Sequence, residues 1–366
     1  MMLSLKTFFK KSNDGIIKLV KLLVLSDVLA IFSAYVFWGQ SFTLSWRSSA
    51  LAFCIFLFFY LIKIDANIDF LKRVILLFGG LYCILWVYAM SRFPDPVFST
   101  TADAEMSENL TRGIYRINFS GETFIIPCFF LALNNVYTKA KKKWLWLLLA
   151  AIFYLFIILQ VTRQLILWTG VIAVIYIYVK NKRLVVTGLC VLLLAYFLFF
   201  ASSFKISDES ILGSMLAVTE NQIDNGSLEG EDTRTLEYKY FFSKYSKNII
   251  TDLIGNGMPH DDSSYGKRYL SIKDVEDFYL SDVGYASMFA VQGIFGLIIY
   301  LLIFLKSSLA KFPPDKQWLR MYMIFMILAN IAASWYFTTD GQLLIAIITY
   351  LVYKYRLPKK TIENEK

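Results

Sequence analysis

The sequence predicts an all-α, polytopic membrane helix bundle of about ten transmembrane helices, with a large extracytoplasmic loop that contains short helices. Three observations lead there. The 366 residues are 57% hydrophobic and only 18% charged, and the mean hydropathy is +0.54, which leaves too little polar surface for a domain solvated by water. Apolar runs of roughly 20 residues recur, the length a helix needs to cross a ~30 Å hydrocarbon core. An unpaired backbone amide in hydrocarbon costs several kcal/mol, so these runs form helices rather than open strands.

Taken in order, the first run follows Lys6, Lys10, Lys11, Lys18 and Lys21 and extends from Leu22 to Trp38. It is too long for the core of a secretion signal and has no small-x-small cleavage site, so it reads as a retained helix over 18 to 38. Further helices are expected over 48 to 64, 73 to 91, 120 to 137 (with Pro127), 144 to 162, 164 to 179, 184 to 203, 282 to 305, 321 to 337 and 342 to 355.

Lysine and arginine set the orientation. One set of connections collects the N-terminal lysines, Lys63, Lys72, Arg73, Lys139, Lys141, Lys142, Lys143, Lys180, Lys182, Arg183, Lys306, Lys311, Lys316, Arg320 and the tail with Lys354, Arg356, Lys359 and Lys360. The short loops of the other set hold Arg47, Arg92, Arg112, Arg116 and Arg163. The expectation is a bacterial inner-membrane protein with both termini cytoplasmic. The chain then divides into residues 1 to 203 with helices one to seven, the large extracytoplasmic loop 204 to 281, and residues 282 to 366 with the last three helices and a cytoplasmic tail. The formal charge of +9 flanks helices and therefore does not point to nucleic acid. Cys54, Cys83, Cys128 and Cys190 all fall within apolar runs and read as packing residues, with no disulfide or CxxC metal pattern.

The loop is where chemistry is expected, because a connection of this length in a compact protein is functional or disordered, and aromatic periodicity speaks against disorder. Arg234 to Asn248 reads as an amphipathic helix with Leu236, Tyr240, Phe241 and Tyr245 on neighbouring turns. Arg234 sits in its first turn, against the helix dipole, which points either to an anionic ligand or to an ion pair with Glu231 or Glu237. Arg163, in Gln160-Val161-Thr162-Arg163-Gln164, lies at a membrane boundary, as a functional cation or as an anchor snorkelling to lipid phosphate. Asp282 precedes the eighth run, either as a helix cap or as a general base. Arg112 and Arg116 are four apart and on a helix could share one phosphate, or pair with Glu108 or Glu122. His260 is the lone histidine, in a turn of Gly255-Asn256-Gly257-Met258-Pro259-His260, and such a residue is often simply solvated. The lack of a second histidine or a cysteine cluster argues against zinc. Asp261, Asp262, Asp274, Glu276 and Asp277 either bind a hard cation or face water. No phosphate-binding Gly-rich loop with Lys-Ser/Thr is present.

Over residues 120 to 310 the arrangement resembles the O-antigen polymerase and O-antigen ligase superfamily of bacterial polysaccharide assembly. The resemblance rests on Thr162-Arg163 at a helix boundary, an early arginine in a large loop (Arg234), the Gly255-x-Gly257 turn, and Gly293-x-x-Gly296 in the following helix. The ligase branch carries a His-[Asn/Ser/Gln] pair nine residues before Gly-x-x-Gly, where this chain has Asp282-Val283, and that departure favours the polymerase branch over the ligase. The resemblance implies inverting transfer of a glycan from a polyprenyl-diphosphate-linked oligosaccharide to a sugar hydroxyl at the outer membrane face, with no cofactor and no metal. It puts Arg163 and Arg234 on the diphosphate and Asp282 in the base position, with Arg112, Arg116, His260, Lys267 and Arg268 as further substrate-binding candidates. Expected partners are the lipid-linked donor, membrane lipid, and the flippase and chain-length regulator of the same pathway. The rival from another class is a transporter or flippase for a polyanionic lipid, which calls for ionisable groups near the bilayer midplane, interrupted helices and an inverted repeat; Asp27 is the clear intramembrane acid, and no repeat is visible.

Overall fold

The computed structural model describes residues 4–92, 119–139, 141–160, 162–183 and 233–356. The expected helix over 184 to 203, together with Arg112 and Arg116, lies outside these. The described residues are helical and contain no strand. In chain order the helices are α1 Leu5–Phe9, α2 Gly15–Trp38, α3 Phe42–Ser48, α4 Phe56–Lys63, α5 Ile68–Ser91, α6 Ile125–Thr138, α7 Lys143–Leu159, α8 Arg163–Lys180, α9 Thr233–Ser243, α10 Ile249–Ile254, α11 Ser264–Glu276, α12 Gly284–Ser308, α13 Gln317–Ala329 and α14 Thr339–Tyr355.

Three of them, Ile68–Ser91, Arg163–Lys180 and Gly284–Ser308, are long and apolar enough to cross a membrane, and the pair Phe42–Ser48 with Ala50–Lys63, bent by 57°, adds a fourth if counted as one span. By length and composition these helices suit the chain to a membrane. Other expected spans are shorter than a bilayer: the 13 residues of α13 make a helix of about 20 Å at 1.5 Å per residue, against a ~30 Å core. The expected helix over 48 to 64 is instead the bent pair, and the one over 321 to 337 stops at Ala329. Its stop has a tertiary cause. Asn330 turns its Nδ2 back onto the Met326 carbonyl at 2.6 Å, and its own carbonyl accepts the Tyr285 N–H at 3.0 Å, so a partner outside the helix takes the place of the next turn.

Two ends of the bundle are chemically distinct. At the basic end Arg356 pairs with Asp14 and Lys354 with Asp65, while Lys72 and Lys316 lie over the Tyr355 ring at 5.3 and 4.7 Å. At the far end the helices α9 to α11 cover the tips of α2 and α12. A second hydrophobic cluster makes that joint, with Trp38, Phe241, Tyr245, Tyr265, Ile272 and Phe278 among its buried members. Trp38 stacks on Tyr265 with centroids 4.3 Å apart, and its Nε1 donates to Asn256 Oδ1 at 3.0 Å.

The helix α12 is broken at Gly293, whose φ is 68° and ψ −176°. This backbone region suits glycine alone, and a Cβ there would overlap the Leu253 carbonyl oxygen and the Gly255 nitrogen. The break frees helix carbonyls, and the turn after α10 takes them up. Asn256 donates its backbone N–H and its Nδ2 to the Ala290 carbonyl at 3.0 and 2.8 Å, and Gly257 N–H donates to Val291 at 2.9 Å. A Cβ on Gly255 would run into the Val291 oxygen. The Gly-x-Gly and Gly-x-x-Gly motifs, some forty residues apart in sequence, thus form one contact through which the loop is plugged into the bundle.

Candidate functional site

The elements that carry three singled-out residues are each hydrogen-bonded to the segment 330 to 334 at the far end. Arg163 is the first residue of α8, and the neighbouring Gln164 donates its Nε2 to the Ala332 carbonyl at 2.8 Å. Arg234 lies in the first turn of α9, one turn before Tyr238, whose hydroxyl donates to the Ile331 carbonyl at 2.5 Å. Asp282 follows Ser281, whose carbonyl accepts the Ser334 N–H at 2.7 Å. One short segment is therefore hydrogen-bonded to the element that carries each of the two cations and the carboxylate, and Arg234 and Asp282 both lie near enough to act on Glu237. Both arginines are exposed and Asp282 is half-buried.

Asp282 does not cap α12. The N-cap position is Val283 with no side-chain bond to the helix, and Asp282 Oδ1 instead accepts the Ser281 hydroxyl at 2.7 Å. That removes the capping explanation and leaves a partly open carboxylate with one oxygen engaged.

The residue that sequence reasoning missed is Glu237, considered there only as an ion-pair partner of Arg234. No ion pair forms between them among the described residues. Glu237 is 1% exposed and packs on the same face of α9 as Phe241, four residues on. The buried face is therefore Glu237 and Phe241, whereas Leu236, expected on the apolar face, is 37% exposed. Oε1 accepts the Tyr279 N–H at 2.8 Å, and Oε2 is buried with no hydrogen-bond partner. Burial pushes this carboxyl up to about 7; the Tyr279 N–H opposes the rise, Asp282 adds to it, Arg234 lowers it, and Asp277 raises it further. Burial likewise raises the neighbouring Tyr238 phenol to about 12. No local sequence signal marks Glu237, because its burial depends on the turn from Asp277 to Leu280 folding over it.

His260, Lys267 and Arg268 are placed differently. His260 belongs to the anchoring of the turn, since its backbone N–H donates to Gln40 Oε1 at 2.9 Å and its Nδ1 lies 3.6 Å from Asp262. Arg268 lies over the Trp38 ring at 4.8 Å, with Lys247 also over that ring at 4.6 Å, a cation–π arrangement that ties α11 to the tip of α2. Lys267 is exposed. The loop acids do not converge: no group of three or more His, Cys, Asp or Glu side chains is arranged to hold a metal ion among the described residues. The described cysteines, Cys54, Cys83 and Cys128, are unpaired.

Arg234, half-buried Asp282 and buried Glu237 lie near enough to act on one another; an exposed guanidinium can neutralise a phosphate charge, and a half-buried carboxylate can orient or deprotonate a hydroxyl. No known protein family model and no curated protein matches the chain.

Proposed function

We propose that this chain is a membrane glycosyltransferase that lengthens a glycan carried on a polyprenyl diphosphate, by metal-independent inverting transfer at the far end of the bundle. The observation that supports the reading is that the elements bearing Arg163, Arg234 and Asp282 are all hydrogen-bonded to residues 330 to 334. A diphosphate is already a good leaving group, so the demand on the protein is charge neutralisation by the two arginines. Asp282 orients the acceptor hydroxyl and takes its proton, and Glu237 lies behind it on the same side. The docking of Gly255-x-Gly257 into the break at Gly293 adds support, because it joins two motifs of the O-antigen polymerase and ligase resemblance into one structural unit.

Within this reading the polymerase branch is favoured over ligase-type transfer to a lipid or protein acceptor, since Asp282-Val283 stands where a ligase has its His-Asn pair. The same proposal includes about ten spans, cytoplasmic termini and an inner-membrane location in a bacterium, with lipid, flippase and chain-length regulator as neighbours. It is tested by reconstituting the protein with a polyprenyl-diphosphate oligosaccharide. Lengthened chains are expected, lost in Arg163→Ala and Arg234→Ala; normal elongation by both variants removes the site.

A second reading has a specific observation in its favour. An interrupted helix beside a buried intramembrane acid, here α12 and Asp27, is the pattern of a transporter. Movement of a labelled lipid-linked glycan across proteoliposomes without any elongation would select it.

A further inference from the structure

A pocket of about 390 Å³, its open mouth included, is bounded by Asp27 and Ala30 of α2, Ser48 and Ser49 at the end of α3, Met258 of the Gly-x-Gly turn, and Gln292 beside the break in α12, with Phe337 and Gln342 closing it. The site of glycosyl transfer proposed above does not use it. Its floor is polar and unsatisfied. Asp27, Gln292 and Gln342 are 3%, 1% and 1% exposed. Gln292 Nε2 donates to Asp27 Oδ1, which leaves Asp27 Oδ2 and Gln292 Oε1 buried without partners, as are the Nε2 and Oε1 of Gln342. The Tyr336 hydroxyl beside Gln342 can satisfy at most one of that amide's positions. Buried polar atoms of this kind are costly unless something bonds them.

We infer that this pocket receives one neutral, hydroxyl-bearing sugar ring of the glycan. The three unpartnered oxygen acceptors, Asp27 Oδ2, Gln292 Oε1 and Gln342 Oε1, match a ligand whose hydroxyls donate hydrogen bonds. A phosphate, which chiefly accepts, does not match. Met258, Val291 and Phe337 supply the apolar wall that the C–H face of a sugar ring needs. Location agrees with this occupant. Ser334, whose N–H donates to the Ser281 carbonyl, is followed by the 3-10 turn Trp335–Phe337, so the pocket wall at Phe337 is three residues, roughly 6 Å at ~2 Å per residue, from the backbone contact next to Asp282. A sugar seated here lies on the same connection, 334 to 337, that adjoins the proposed transfer site.

The inference rests on the glycosyl-transfer reading, and binding separates the two. The full chain in lipid nanodiscs is unfolded thermally with the methyl glycosides of glucose, galactose, mannose, rhamnose, N-acetylglucosamine and N-acetylgalactosamine. At least one is expected to raise the midpoint saturably, by about 2 °C or more. The shift should vanish in Gln292→Leu and Gln342→Leu and persist in Arg234→Ala. Ser49→Phe, which blocks the mouth and leaves the buried polar groups intact, should also abolish it. A shift by none of the six, a shift surviving both Gln342→Leu and Ser49→Phe, or stabilisation by sodium chloride over choline chloride in the absence of sugar, each overturns the inference. A saturable shift in a protein that elongates nothing keeps the sugar site and removes glycosyl transfer.

Discussion

Replacing Glu237 by glutamine should stabilise the loop at alkaline pH and leave it unchanged in acid. The carboxyl has an ordinary value of 4.5 and is held at about 7 in the folded protein. A carboxyl raised on folding binds its proton more tightly in the folded state, so its contribution is most favourable below pH 4.5, declines as pH rises, and is lost above 7. The gap of about 2.5 pH units corresponds to roughly 3.5 kcal/mol at ~1.4 kcal/mol per unit. Between pH 5 and pH 8 about 2.5 kcal/mol of this is traversed, equivalent to a ~70-fold change in an opening equilibrium. Glutamine keeps the acceptor for the Tyr279 N–H and has no proton to lose. Hydrogen exchange of the α9 amides, corrected for intrinsic rates, reads this opening. In the parent protein the opening constant should climb by tens of fold from pH 5 to pH 8, and in Glu237→Gln it should stay level. Parallel pH dependence in the two proteins, or a parent that tightens toward pH 8, would refute the burial reasoning and with it the placing of Glu237 beneath the turn 277 to 280.

Arg163→Ala and Arg234→Ala should each lower turnover of a polyprenyl-diphosphate oligosaccharide by about 30- to 1,000-fold, the order expected for one lost charge-assisted contact to developing negative charge, with unfolding midpoints within a degree or two of the parent. Gly293→Ala should prevent recovery of folded protein on size-exclusion chromatography, because its Cβ meets backbone and its φ of +68° is strained, whereas Gly80→Ala, which meets nothing within 4 Å, should behave as the parent. Trp38→Ala should cost about 3–5 kcal/mol, seen as faster proteolysis between α10 and α11 with the spans intact. Chelation with EDTA should leave elongation unchanged, and a loss restored by a divalent cation would remove the arginine-only account of the leaving group.

Much of the helical framework was legible because hydropathy reports burial in lipid directly. The ends of α2, α5, α8 and α14 fall within a few residues of the apolar runs, and Arg163, Arg234 and Asp282 were each visible as a charge set at a boundary. What sequence did not reveal depends on contacts between distant segments. The early stop of α13 needs the Tyr285 N–H on the Asn330 carbonyl, and the bend after Ser48 goes with its hydroxyl reaching the Met258 carbonyl at 2.8 Å; neither partner is near in sequence. Gln40 shows this most plainly. It looks like an ordinary loop residue, yet its amide receives the His260 N–H and the Ser263 hydroxyl at 2.9 and 2.7 Å and donates to the Met258 carbonyl at 3.0 Å, which makes it the clasp of the turn. His260, conspicuous as a lone histidine, matters to that clasp through its backbone.

The break in α12 also bears on the choice between an enzyme and a transporter. In a transporter the backbone groups released by an unwound helix coordinate the cargo, so they stay available to it. Here three successive carbonyls at the break are engaged: Ala290 by Asn256, Val291 by Gly257, and Gln292 by the Ser26 hydroxyl at 3.5 Å. The facing Gly255 carbonyl accepts the Ser33 hydroxyl of α2. The interruption thus spends its hydrogen-bonding capacity on fixing the loop, which couples α9 to α11 rigidly to the bundle and so holds Arg234 and Asp282 in register. A moving gate would need these bonds to exchange, and the glycines that make them possible leave no room for a slide. Cross-linking Phe37→Cys at the tip of α2 to Lys247→Cys in the loop with a short bis-maleimide, at the joint where Lys247 Nζ donates to the Phe37 carbonyl at 2.7 Å, therefore discriminates: an enzyme built on a fixed loop keeps elongating once cross-linked, whereas a transporter that rocks about this break stops.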